Sequence, residues 1–155
     1  MASVREVADS YIESMAALDP AAATAWGVPG HDDRLPDLSP AGIASRAELA
    51  RHSLADLSRS PLDTESDRAA AEVMAERLGA DLDLYEAGDH YRSLRVLHSP
   101  QDAVRRSFDL MRFDSQDDWH VAAARLRAVP QALSGWRATL EEGRSRRMVS
   151  ARRQV

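Results

Sequence analysis

The sequence predicts an all-α fold, an irregular bundle of about six helices with one long loop at residues 27–38. Three observations predict it. Apolar residues recur at three- and four-residue steps along most of the chain. A capping residue followed by Pro, or by an acid three places on, stands ahead of these stretches. The one stretch that alternates, residues 90–98, is short and irregular, so no strand survives the reading.

Val4, Val7, Tyr11, Met15 and Leu18 place one apolar stripe on a helix over residues 3–18. Asp19-Pro20 stops it and restarts a short helix to Trp26, which Gly27 closes. Val28 to Leu38 holds three breakers among alternating charges and is the longest loop. Ser39-Pro40 repeats the cap-then-Pro signal. Ile43, Ala47, Ala50, Leu54 and Leu57 then sustain a seven-residue repeat through a helix at about 40–58. Thr64 with Asp67 reads as a capping box for a long helix, about 64–87, whose face carries Ala70, Val73 or Met74, Arg77 or Leu78, Leu82 and Tyr85; Gly88 ends it. Ser99-Pro100-Gln101-Asp102 opens a further capped helix with Val104, Phe108 and Met111. Ser115 to Asp118 opens another with Trp119, Ala122, Leu126 and Val129. These two read as adjacent short helices, with Pro130 either kinking the second or starting a new one through Leu133, Trp136 and Leu140 to Gly143. The expected organisation is a helical domain over residues 1–143 and a basic segment over 144–155. In that segment Met148, Arg152 and Val155 look like the opening turns of one more helix, so the chain is expected to be the N-terminal part of a longer protein.

Composition narrows the chemistry. With 155 residues, 44% hydrophobic and 29% charged, the chain is one domain's worth and can hold a core without disulfides. The absence of Cys excludes thiol catalysis, Cys-built zinc knuckles and iron–sulfur clusters. No apolar leader core and no 18-residue apolar run is present, which sets the expectation of a cytoplasmic chain with no membrane partner. The net charge of −5 hides an asymmetry: Arg144, Arg146, Arg147, Arg152 and Arg153 make residues 144–155 +5, leaving −10 for residues 1–143. A body of that charge repels a phosphate backbone, so no nucleic-acid partner is expected, although the Arg tail is a weak candidate for one. All 20 basic residues are Arg, a signature of codon usage more than of ligands.

Few residues suit a reaction centre. A zincin helix needs two His four residues apart with a Glu beside the first, and none of His31, His52, His90, His98 and His120 fits. The acid pairs Asp32-Asp33, Asp117-Asp118 and Glu141-Glu142 are adjacent in sequence and do not face each other on a helix. Asp117 and Asp118 suit a helix N-terminus instead. No glycine-rich phosphate cradle occurs. Trp26, Trp119 and Trp136 read as core residues, Trp26 beside the long loop being the one to test for a ligand role. The expectation is therefore no catalytic residue, no cofactor site and no metal site within the chain, with Trp26, His31, Asp32, Asp33 and Arg34 as a loop that could face a cleft. A zinc site would require His31, His90 and His98 to converge.

Asp19-Pro20 with Ala23-Thr24 and Gly27, then Asp32 through Pro40, and later Asp118-Trp119 with Arg125-Leu126 and Val129-Pro130, resemble the N-terminal region of the bacterial "domain of unknown function 885" family. Members are several times longer and mostly α-helical. They are grouped with zincin-like metallopeptidases through a His-Glu stretch and a following Pro-Gly-His far downstream. The resemblance covers essentially the whole chain but only the N-terminal part of a member, and no position here corresponds to the downstream metal-binding stretch. It implies a non-catalytic helical portion of a metal-dependent peptidase-like hydrolase, forming a wall or lid of its substrate cleft, with zinc only in the full-length parent and the rest of the same polypeptide as partner. The alternative is a stand-alone α-helical interaction module that pairs with another chain or itself, resting on the repeat at residues 43–57.

Overall fold

A computed structural model describes residues 1–154. Among them are six α-helices and no strand: α1 (Val4–Leu18), α2 (Pro20–Trp26), α3 (Pro40–Leu57), α4 (Glu65–Glu86), α5 (Pro100–Asp109) and α6 (Gln116–Ser145), with a short 3-10 turn at Asp89–Arg92. The long loop falls between α2 and α3. Gly27 at φ 73° closes α2, and Gly88 at φ 68° ends α4, the left-handed conformation that glycine adopts without a Cβ clash.

The helix starts follow the local signals. Asp19 and Ser39 accept from the backbone N–H three residues on, and Pro occupies the first helical position after each. Thr64 with Asp67 and Ser115 with Asp118 form reciprocal capping boxes, as Ser3 does with Glu6. Ser99 departs from expectation: it stands at the N-cap of α5, yet its side chain makes no capping bond.

The largest correction concerns α6. Of the two alternatives at Pro130, a kink within the last helix or the start of a new one, the second does not hold: Gln116–Ser145 is one 30-residue helix, which runs two residues past Gly143. Pro130 removes the donor that would meet the Leu126 carbonyl, and both residues lie on the exposed side, where water can take the donor's place. The buried register is shifted from expectation as well. Ala122, Arg125, Val129, Ala132, Trp136, Thr139 and Gly143 form a seven-residue repeat turned inward, with Val129 half-buried, while Trp119 and Leu126 are 60% and 62% exposed. Of the three tryptophans expected inside, only Trp136 is buried.

Two small cores result. Val4, Val7 and Leu57, joined by Ala71 and Met74, seal α1, α3 and α4; Leu38, Val104, Ala132 and Trp136 seal the end of the long loop against α5 and α6. The repeat of α3 is satisfied within the chain, because α3 packs on both α1 and α4. Along α4 the choices at 73/74 and 77/78 fall to Met74 and Leu78, leaving Val73 exposed. After α6 the chain turns back over the 3-10 turn: Met148 N–H donates to the Gly143 carbonyl at 2.8 Å and Ser150 Oγ to the Arg92 carbonyl at 2.8 Å. The expected further helix is a single 3-10 turn at Arg152–Gln154, and Val155, the last position of that pattern, lies outside the described residues.

Candidate functional site

Two wholly buried side chains of α6 hold the long loop: Thr139 Oγ1 donates to the Leu38 carbonyl at 2.8 Å at its far end, and Arg125 holds its first half. Arg125 is wholly buried. Its Nη2 donates to Thr24 Oγ1 at 2.6 Å and to the His31 carbonyl at 3.2 Å, and its Nη1 donates to the Ser107 carbonyl at 3.2 Å. Thr24 Oγ1 in turn donates to Asp32 Oδ1 at 2.5 Å, and that oxygen lies 3.6 Å from Arg125 Nη2. A buried guanidinium needs a counter-charge and several acceptors. Asp32 supplies the charge, and the C-terminal half of α2, the loop and α5 supply the acceptors. Burial pulls the Arg125 guanidinium down from its ordinary value, with Asp32 and Asp33 pulling it back; an arginine stays protonated throughout.

This clamp shapes a cleft of about 440 Å³. One wall is Thr24, Gly27, Val28, Pro29 and Asp32; the other is Leu110, Met111 and Arg112 from the α5–α6 connection, with Asp118 and Val121 from the first turns of α6. Both carboxylates in it are already engaged. Asp32 serves Thr24 and Arg125, while Asp118 accepts from the backbone N–H of Asp114 and Ser115 at 3.0 and 2.9 Å. Hydrogen bonds from Ser115, side chain first, hold the Asp118 carboxyl below the usual carboxylate range, which keeps it ionised rather than ready to give a proton. With apolar Val28, Pro29, Leu110 and Met111 beside them, these groups make a surface that can receive a shape and fix a loop.

The five loop residues singled out from sequence do not converge. Asp32 lines the cleft, whereas Asp33 and Arg34, 3.5 Å apart, line a separate groove with Ala128 and Gln131. His31 Nδ1 lies 2.8 Å from Arg34 Nη2 and its carbonyl faces Arg125. Trp26 is 48% exposed at the end of α2. Nor do His31, His90 and His98 meet: His90 and His98 line another cleft, between α3, α4 and α5, and His31 is not part of it. Among the described residues no three His, Asp or Glu side chains are grouped to hold one metal ion. Also among the described residues, no helix is long and apolar enough to cross a membrane.

Arg125 is the residue that sequence periodicity missed as an anchor. Leu126 beside it is the more apolar choice for the inward position. The available signal was the inward series 122, 129, 132, 136, whose three- and four-residue steps place 125 on the same line.

Residues 20–155 match a family model described as "Bacterial protein of unknown function (DUF885)". No curated protein matches the chain.

Proposed function

The chain belongs to the bacterial DUF885 family, and on that premise we propose that it is a non-catalytic helical portion of a metal-dependent, peptidase-like hydrolase, a wall of the substrate cleft whose partner is the rest of the same polypeptide. The supporting observation is surface. A compact monomer of 17.1 kDa exposes roughly 7,700 Å² by mass scaling, whereas this chain exposes 10,017 Å². The excess of roughly 2,300 Å² is larger than the ~800 Å² that one partner contributes to a standard interface.

Part of that surface is apolar and ordered along α6. Trp119, Leu126 and Leu133 lie seven residues apart on one exposed line, and the Trp119 ring packs on Phe113 with centroids 4.8 Å apart. Phe113 and Leu110 are themselves 40% and 57% exposed, carrying the apolar surface to the rim of the Arg125-clamped cleft. In this reading the stripe seats against the remaining polypeptide, and the loop from Gly27 to Asp32 faces the substrate path. Zinc and the reacting groups belong to that remaining polypeptide.

The reading is tested by mixing the purified chain with the separately expressed remainder of a full-length family member and measuring mass by light scattering. A one-to-one complex, lost in a Trp119→Ser/Leu126→Ser double variant that still melts cooperatively, is expected. A chain that ignores the remainder and forms its own dimer through the same stripe would instead support the stand-alone interaction module.

A further inference from the structure

The exposed stripe of α6 has a regular relief. Trp119, Ala123, Leu126, Pro130 and Leu133 follow one another at alternating steps of four and three residues, so they share one line along the helix. Large side chains at 119, 126 and 133 alternate with a small one at 123 and a flat one at 130. The large ones stand about 10 Å apart along a ridge of about 21 Å, with hollows between them. Knobs and hollows at this spacing match those of a second α-helix laid alongside at a shallow angle. An extended segment repeats every ~6.6 Å on one side, out of step with the hollows, and finds no partners for its backbone N–H and C=O groups on a helix surface.

Charge fixes the direction of such a helix. Arg137 and Arg144 continue the line of the stripe beyond Leu133. Glu141 holds Arg137 at 2.8 Å, whereas Arg144 has no acidic partner among the described residues. At this end Arg137, Arg144, Arg146 and Arg147 outnumber Glu141 and Glu142; at the start of α6, Asp114, Asp117 and Asp118 outnumber Arg112. Any helix is stabilised by acids in its first turn and bases in its last. A partner helix charged in that way sets its acidic start against the arginines and its basic end against the aspartates when it runs antiparallel to α6. Run parallel, it sets like charges together at both ends.

Resting on the reading that the stripe seats the remaining polypeptide, we propose that the seated segment is an amphipathic α-helix antiparallel to α6. It is at least ~14 residues long, with aliphatic side chains over Ala123 and Pro130, acids at its start and bases at its end. The test uses a full-length family member in which Trp119, Leu126 or Arg137, each exposed in this chain, is replaced by the photocrosslinker p-benzoylphenylalanine; linked peptides are mapped by mass spectrometry. The three positions link to one segment of the same polypeptide, in reverse sequence order, at sites roughly seven and eleven residues apart. Links in the same order, links roughly three and five residues apart as an extended segment gives, or links scattered over several segments would overturn the proposal while leaving the stripe an interface. Links between two copies, or from none of the positions, would refute the underlying reading and the proposal with it. The charges are read in the complex of the chain with the separately expressed remainder. Arg137→Glu/Arg144→Glu weakens affinity roughly tenfold or more at low salt, and the loss shrinks as salt rises. Arg5→Glu/Arg77→Glu, an equal change in net charge placed on α1 and α4, leaves affinity unchanged. Equal affinities of the two double variants would overturn the proposal.

Discussion

Replacing Arg125 with Met keeps most of the buried stem and removes every donor of the guanidinium. Thr24 Oγ1, the His31 carbonyl and the Ser107 carbonyl each lose a charge-assisted bond of 2.6 to 3.2 Å. Breaking a buried ion pair from one side costs about 3–5 kcal/mol. Asp32 is 41% exposed and can turn to water, and the His31 carbonyl retains the Arg34 N–H at 3.3 Å, so the lower end applies. The expected loss is about 3 kcal/mol, or a fall in Tm of roughly 6–12 °C for a chain of this size. Urea unfolding followed by far-UV circular dichroism measures it, with Leu126→Ala alongside. Leu126, one residue away and 62% exposed, should cost less than about 0.5 kcal/mol. The freed loop should also become a tryptic site at Arg34. An Arg125→Met loss below about 1 kcal/mol, or a Leu126→Ala loss as large as that of Arg125→Met, would refute both the clamp and the register of α6.

Ser115→Ala should cost about 1 kcal/mol, because it removes a capping box, whereas Ser99→Ala should stay within about 0.5 kcal/mol; paired thermal melts check this. Gly135→Ala, favourable by propensity in an open helix, should destabilise by about 1–2 kcal/mol, since the new Cβ would sit 2.8 Å from the Ser39 backbone nitrogen; urea titration reads the sign. The Tyr91 hydroxyl, at 3.0 Å, and the Arg146 guanidinium hold the Glu142 carboxyl below its ordinary value of 4.5. Because the folded value is the lower one, this contribution is present above the unfolded carboxylate range and is lost as pH falls through the folded pKa. Tyr91→Phe should therefore move the Glu142 titration upward, as followed by NMR of its side-chain carboxyl carbon.

Helix starts were readable because a cap is a local event: Asp19-Pro20, Ser39-Pro40, Thr64 with Asp67 and Ser115 with Asp118 satisfy their own backbone donors within four residues. The interior of α6 was not, because its register is decided by partners elsewhere in the chain. Hydrophobicity favours Leu126 over Arg125, but Thr24 and Asp32, about a hundred residues away, make burial of the arginine possible. Pro130 was ambiguous because an interior proline removes one donor and crowds the carbonyl four residues back, which can kink a helix or end it, and the choice depends on packing elsewhere in the chain. The family resemblance had already grouped Arg125 with Asp32 and Thr24, without saying that they touch.

The central proposal, that the exposed stripe of α6 seats against the rest of a longer polypeptide, can be read from one residue. The chain contains no Cys, so Leu126→Cys places a single thiol in the middle of the stripe. Its rate of labelling by a thiol reagent is measured in this chain alone and in the full-length family member carrying the same substitution. The account predicts fast labelling in the isolated chain, independent of its concentration, and strong protection in the full-length protein. Equal rates in the two, or protection in the isolated chain that grows with concentration, would contradict it.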